Sequence, residues 1–288
     1  MLRKWFTSSA MQHIKLGKYN QLEVVKTVDF GVYLDGFDDG EILLPTRYVP
    51  ADCRVGDVLN VFIYLDNEER LVATTLEPLV QVGQFAWLEV SWVNEYGAFL
   101  NWGLMKDLFV PFREQKMKMQ MGRSYLVHAH LDEESYRIVA SAKVERYLSK
   151  EHPDYQPGEE VEVLVWQRTE LGVKVIVDNR YGGLLYRSEL FTSVEPGMKL
   201  TAYVKQVRED GKIDLTLHKT GYARVEDFSD TLLAYLKEHD GYLPLHDKSP
   251  AEAIYDAFGV SKKTFKKAVG DLYKKRLVSI SEAGIKLV

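Results

Sequence analysis

Two kinds of side chain in this sequence have types and spacing suited to chemistry: aromatic pairs flanking a glycine, and a lysine run near the C-terminus. Tyr96 and Phe99 flank Gly97, with Trp102 nearby, and Phe30 and Tyr33 flank Gly31. An accessible ring stacks on unpaired bases because every base has a π-face, and each such contact is worth about 1–3 kcal/mol. On a straight strand the two members of a pair have opposite parity. A kink at the glycine is needed to turn both to one face. Tyr96 and Phe99 form the leading pair. Phe30 and Tyr33 form a second, with Arg70 beside Asp66 as a further candidate. The alternative for each ring is ordinary barrel packing.

Residues 261–276 carry Lys262, Lys263, Lys266, Lys267, Lys274, Lys275 and Arg276 against Asp271 alone, 7 − 1 = +6. Phe265, Val269 and Leu272, with Ala268, recur at helical spacing, so the lysines are pushed outward. Lysine is a point charge and reads phosphate more readily than base edges. The alternative is a solvated helix face. A second basic cluster, Arg113, Lys116, Lys118 and Arg123, alternates with Met117, Met119 and Met121. It reads either as a basic lip beside Tyr96 and Phe99 or as a solvated turn. A third set is Lys174, Tyr186 and Arg187.

Other chemistries lack their parts. Cys53 is the sole cysteine, which excludes an internal disulfide and a multi-cysteine zinc site and suits a reducing cytoplasm. His128 and His130 share a strand face, but two histidines make a poor metal site, and packing or surface roles are expected. There is no Gly-rich phosphate loop ending in Lys-Ser/Thr and no Gly-x-Ser-x-Gly elbow. Asp38-Asp39 with Glu41, and Asp132-Glu133-Glu134, read as solvated turns. No nucleophile, base and orienter come together, so a non-enzymatic protein without metal or cofactor is expected. No apolar run reaches about 18 residues and no signal-peptide core follows the N-terminus, so no membrane association is expected. Met1 and Met11 are both candidate starts.

The elements that must position these groups repeat. At an offset of 66 residues Gly17 maps onto Gly83, Leu22-Glu23-Val24 onto Leu88-Glu89-Val90, Gly31 onto Gly97, Pro45 onto Pro111 and Asp66 onto Asp132. The register holds across the unit without a gap. At a further offset of 75, Gly97 maps onto Gly172 and Gly122 onto Gly197. The nine additional residues fall around Tyr147 to Pro157. Each copy reads as five short strands rich in β-branched residues, which must close on themselves to hide their edges. A five-stranded OB-type barrel is the economical solution.

After the third copy the period becomes helical at Phe228, Leu232, Leu233, Tyr235 and Leu236, and stops near Asp240-Gly241. Tyr242 to Leu245 reads as an extended link. Ser249-Pro250-Ala251-Glu252 reads as a capping box opening a helix that stops at Gly259. Ser261 caps a third helix to about Arg276, and strands at Leu277–Ser281 and Ile285–Val288 complete a winged helix. Gly270 inside the third helix costs about 1 kcal/mol relative to alanine, which suggests close packing against another helix.

The charge of the copies differs. Residues 17–75 hold 5 basic and 11 acidic side chains, net −6, which repels phosphate and raises a protein partner for barrel one. Residues 83–142 give 6 − 7 = −1.

Gly183-Leu184-Leu185-Tyr186-Arg187-Ser188-Glu189-Leu190 with Pro196-Gly197 resembles the RNA-binding domain repeated in ribosomal protein S1. Phe30-Gly31-Val32-Tyr33-Leu34 with Val55-Gly56-Asp57, and Tyr96-Gly97-Ala98-Phe99-Leu100, are the corresponding stretches of the other copies. Where that family carries a histidine, copies one and two carry Pro45 and Pro111. Copy three carries Leu171 and Lys174 in place of the strand aromatics.

Three such barrels and a winged helix, in that order, resemble the conserved virulence factor B family of bacterial RNA-binding proteins. Gly31-Val32-Tyr33-Leu34-Asp35-Gly36, Ile42-Leu43-Leu44-Pro45, Arg47-Tyr48-Val49-Pro50 and Ser261-Lys262-Lys263-Thr264-Phe265-Lys266-Lys267-Ala268 with Gly270 carry the likeness. The resemblance implies RNA binding and post-transcriptional regulation in a bacterial cytoplasm.

The expected architecture is mainly β with a C-terminal α+β module. It comprises an extension (1–16), OB-type barrels at 17–78, 79–144 and 158–220, a linker at 145–157, and a winged helix at 221–288. The expected function is single-stranded RNA binding through the barrels and the basic helix. Two alternatives stand beside it: a duplex-DNA transcription regulator acting through the winged helix, and a protein-interaction scaffold.

Overall fold

The computed structural model describes residues 12–187, 190, 193–218 and 223–288. Met1, Met11 and Ser188-Glu189 lie outside them. The chain divides after Tyr147 into two units.

The first unit holds two closed barrels. Barrel one comprises β1 (Tyr19–Val28), β2 (Gly31–Asp35), β3 (Glu41–Pro45), β4 (Val58–Leu65) and β5 (Leu71–Thr74). Barrel two comprises β6 (Phe85–Val93), β7 (Gly97–Leu100), β8 (Leu108–Pro111), β9 (Ser124–Leu131) and β10 (Ile138–Ser141). In both, the strands neighbour each other in the order one, two, three, five, four, and strand four closes on strand one. Strands three and five pair in parallel. This is the OB-type barrel that the strand pattern predicts.

The gapless register fails at one place. Leu43 pairs with Val72 in barrel one, but Phe109 pairs with Val139 in barrel two, so the offset grows from 66 to 67 residues before strand five. The extra residue sits in the turn after strand four. The Asp66 N–H bonds the Arg70 carbonyl in copy one, whereas Asp132 reaches to Arg137 in copy two. A turn outside the ladder absorbs an insertion that a paired strand cannot.

Alternation fills each barrel, and its exceptions mark where something covers the outside. In β4, Val61 to Tyr64 are all buried. Val61 and Ile63 enter the core of barrel one, while Phe62 and Tyr64 join the core of barrel two. Phe62 meets Trp102 edge to face at 5.7 Å. Trp102 is 3% exposed, and its indole N–H donates to the Lys106 carbonyl at 2.5 Å. It is therefore a seam residue and not part of a stacking surface.

His128 is covered in the same way. It packs against Phe85 at 4.6 Å and lies flat on Tyr147 at 4.1 Å, while the Tyr147 hydroxyl sits 3.3 Å from His130 Nε2. Burial drives the His128 pKa down to about 4, against a smaller opposing effect of a hydrogen bond to the Gly83 backbone.

The second unit holds barrel three and the winged helix. Barrel three comprises β11 (Glu160–Arg168), β12 (Gly172–Val177), β13 (Tyr181–Tyr186), β14 (Lys199–Val207) and β15 (Ile213–Thr216), closed in the same order. The stretch before it packs on it: the Ser149 N–H bonds Arg180 O at 2.9 Å, and the Tyr155 hydroxyl bonds Asp178 at 2.7 Å.

The winged helix comprises α1 (Ala223–Glu238), β16 (Tyr242–Leu243), α2 (Ala251–Phe258), α3 (Lys262–Lys274), β17 (Val278–Ser281) and β18 (Gly284–Leu287). Three sequence expectations change here. The extended link at Tyr242 is a strand, pairing with Lys286 and Ile285 at the edge of a three-stranded sheet. The capping box at Ser249 does not form: Pro250 takes the cap position, and the Ser249 hydroxyl accepts from the His246 N–H at 3.0 Å, closing a turn instead. Gly270 packs against nothing, since a Cβ built there meets no atom within 4 Å. The cap of α3 forms as expected, with Ser261 Oγ accepting from the Thr264 N–H.

Two outcomes are expected. His128 titrates near 6.5 when unfolded and near 4 when folded. Its contribution is therefore whole above pH 6.5 and fades as pH falls toward 4, on the order of 3 kcal/mol in all. Urea unfolding at pH 7.5 and 5.0 should show about two thirds of this loss, and His128→Phe should shrink it. Gly270→Ala should slow amide hydrogen exchange across α3, reflecting about 1 kcal/mol of added helix stability.

Candidate nucleic-acid interface

Strand two of every barrel begins with a glycine that touches strand three. A Cβ on Gly31, Gly97 or Gly172 would lie 2.2, 2.3 or 2.1 Å from the carbonyl oxygen of Leu44, Val110 or Leu185. Strand one carries a bulge at one equivalent position in each copy, between Val24 and Lys26, Val90 and Trp92, and Val165 and Gln167. The glycine and the bulge together decide which side chains reach the outer face of strands one to three.

In barrel one the kink brings Phe30 and Tyr33 to one face, their rings 6.3 Å apart and edge to face. Lys26, opposite Tyr33, places its ammonium 5.5 Å from that ring. Arg70 is held by Asp66 at 2.9 Å and by Glu68 at 3.2 Å.

In barrel two the equivalent positions form an aromatic row. Trp92 replaces Lys26 opposite Phe99, and the rings stack at 3.8 Å and 3°. Phe109, opposite Phe99 on the other side, follows at 4.9 Å. The Trp92 indole N–H donates to Asp107 at 3.1 Å, which fixes its ring. Tyr96, 66% exposed, stands in the turn before Phe99 and faces the same cleft.

That cleft, about 750 Å³, has a second wall of Tyr64, Leu65, Asn67 and Glu69 from barrel one. Its cations are Lys106 and Arg137, and both reach across to barrel one. Lys106 donates to the Asp66 carbonyl at 2.8 Å, and Arg137 pairs with Glu69. Burial lowers the Lys106 pKa.

The basic lip expected beside Tyr96 and Phe99 does not line this cleft. Arg113 pairs with Asp132 at 2.9 Å and Lys116 with Glu145 at 2.5 Å, and Lys118 is exposed elsewhere on barrel two. Sequence reasoning also missed Trp92. On an unbroken strand it shares parity with the core residue Val90, and only the bulge turns it outward. Phe109 carried a signal, since it alternates with the core residues Leu108 and Val110.

Barrel three has a polar face instead. Lys174 lies 5.4 Å from the Trp166 ring. Asp214, 3% exposed, stands where barrels one and two carry Val72 and Val139. It accepts from Gln206 at 2.7 Å and from Arg208 at 2.8 Å, and Tyr186 joins the cluster through its hydroxyl. Burial pushes the Asp214 pKa up, but the hydrogen bonds from Arg208 and Gln206 outweigh it and hold it low. Arg187 turns away, to a pocket of about 430 Å³ with Leu190, Tyr235, Tyr255 and Gly259.

On α3, Phe265, Ala268, Val269 and Leu272 are buried, and Lys263, Lys266, Lys267 and Lys274 are exposed. Lys262 donates to the Lys248 carbonyl at 3.2 Å, and Lys275 pairs with Asp271 at 2.8 Å. The open backbone at Gly270 lies among the exposed lysines. Among the described residues no group of three or more His, Cys, Asp or Glu is placed to hold a metal, and no helix is long and apolar enough to cross a membrane.

Residues 16–76 match the S1 domain family, and residues 230–287 match the CvfB-like winged helix domain. These are nucleic-acid-binding domain types, and the chain is a nucleic-acid-binding protein. It is 29% identical over 266 residues to the uncharacterised protein YitL of Bacillus subtilis, covering 90% of this chain and 89% of the relative. It is 26% identical over 281 residues to conserved virulence factor B of Staphylococcus aureus, covering 94% of each. A crystal structure of a multidomain Streptococcus pneumoniae protein with nucleic acid binding domains aligns with 25% identity and a TM-score of 0.43, covering 95% of this chain and 98% of that one.

The Asp214 cluster gives a direct expectation. Asp214→Ala strands Arg208 and Gln206 and should destabilise barrel three by about 2 kcal/mol, read as faster hydrogen exchange in β14 and β15. Unchanged exchange would show the cluster to be incidental.

Proposed function

We propose that this chain, similar along nearly its whole length to the conserved virulence factor B proteins, binds single-stranded RNA and acts in bacterial post-transcriptional regulation by binding and not by catalysis. The aromatic row of barrel two carries the reading. A row of Trp92, Phe99 and Phe109 beside Tyr96 suits unstacked bases and gives a duplex nothing to stack on. Barrel three adds Lys174 and Tyr186, with Arg187 on a separate face, and α3 adds Lys263, Lys266, Lys267 and Lys274 as phosphate contacts. Lys262 and Lys275, and Arg113, Lys116 and Lys118, act as flanking charges. Modules tethered on one chain gain affinity through effective concentration, so each can be weak. The cytoplasm is the compartment in which such a protein meets its RNA.

The exposed lysines of α3 also favour a second reading, duplex-DNA binding by the winged helix. Anisotropy with a labelled unstructured RNA and a duplex DNA at matched salt separates the two. Tighter binding of the RNA is expected. Trp92→Ala/Phe99→Ala should weaken it about tenfold, through loss of the exposed Trp92 ring and of the Phe99 ring that backs it. Replacing Lys263, Lys266 and Lys267 by alanine should cut the salt slope by about 2. Preference for the duplex, with no effect of the aromatic variant, would overturn the proposal.

A further inference from the structure

We propose that barrel one is the second wall of a base-binding cleft, so that an unpaired RNA base inserts between barrels one and two and touches both. This rests on the RNA-binding reading above and extends it to a module whose acidity argues against binding phosphate unaided.

The observations converge on the turn after β4. Its residues Asn67 and Glu69, with Tyr64 and Leu65 of β4, line the same cleft as the aromatic row. The two walls are fastened together. Phe62 and Trp102 share the buried seam, Lys106 bonds the Asp66 carbonyl, and Arg137 pairs with Glu69. The gap is therefore preorganised, and binding into it costs little ordering.

The size also fits. About 750 Å³ lies within the range of roughly 300–1,000 Å³ that small-molecule ligands occupy. A nucleotide or two enter such a space, and a duplex does not. The two walls differ in chemistry. Barrel two offers the stack of Trp92, Phe99 and Phe109, in which Phe99 lies between the other two rings, so contact with a base falls to the exposed Trp92 and Tyr96. Barrel one offers polar edges, of which the Asn67 amide both donates and accepts. Asn67 is exposed, and Glu69 in the same turn adopts a left-handed φ of 63° that carries its side chain toward Arg137. A base stacked on the aromatic row would present its hydrogen-bonding edge toward this turn, as single-stranded RNA recognition requires.

Charge assigns the roles further. Lys106 and Arg137, the cations that line the cleft, are committed to barrel one and brace it. Attraction for phosphate is left to other parts of the chain, in keeping with the net −6 of residues 17–75.

A double-mutant cycle in the full-length chain tests this, with anisotropy of a labelled unstructured RNA as the readout. Asn67→Ala sits on an exposed turn and leaves the aromatic row untouched. It should weaken RNA binding about fivefold, as loss of one hydrogen bond predicts. Combined with Trp92→Ala, it should add much less than a further fivefold, because one base links the two residues. Full-strength binding by Asn67→Ala, or strictly multiplicative effects, would overturn the second wall while leaving stacking on barrel two intact. Loss of neither contact in either variant would remove both readings. A free nucleoside monophosphate that binds at micromolar concentration, with no Asn67 dependence of strand binding, would assign the cleft to a mononucleotide and overturn the proposal.

Discussion

Strand two of each barrel must start with a glycine because the strand-three carbonyl stands where a Cβ would be. Much of the outer face follows from that single contact. With no side chain in the way, the backbones close up and the chain turns, and the residues on either side of the glycine swing to one face. In barrel one this brings together Phe30 and Tyr33, in barrel two Tyr96 and Phe99 beside one cleft, and in barrel three it sets Lys174 beside Trp166. The bulge in strand one supplies the opposite member of each row: Lys26, Trp92 or Gln167. One backbone device, repeated three times, thus presents three different chemistries.

The differences between the copies then divide the labour. Barrel two presents rings, barrel three presents a hydrogen-bonded cluster around Asp214, and barrel one is acidic and spends its turn residues on its neighbour. The third helix presents Lys263, Lys266, Lys267 and Lys274 to solvent. Affinity in such an arrangement comes from phosphate contacts and stacking, both tolerant of sequence. On the proposed reading, discrimination between bases would fall to the polar edges at Asn67 and at the Tyr186–Arg208 cluster.

Much of the fold was legible in the sequence because turn glycines and alternating valines report directly on strands. Gly31, Gly97 and Gly172 marked the start of strand two, and Ser261 marked the start of α3. Most of the failures share a cause: a local irregularity or a distant residue changes parity or partner. Trp92 was invisible because a bulge is not written in residue type. Trp102 read as a nearby aromatic because nothing local shows that Phe62, 40 positions earlier, covers it. The basic cluster around Lys116 was legible as charge, but its acidic partners come from elsewhere in the chain, Asp132 from the turn after β9 and Glu145 from a short 3-10 helix. Gly270 read as a packing residue, and open space around it shows otherwise.

The central claim is that an unpaired strand lies on the aromatic row of barrel two and the lysines of α3. Ultraviolet cross-linking of the full-length protein to an unstructured RNA, with the attached residues located by mass spectrometry, tests it most directly. The account predicts adducts at Trp92, Tyr96 or Phe99 together with adducts on Lys262–Lys274. Adducts confined to other faces of the barrels, with none on that row, would contradict it.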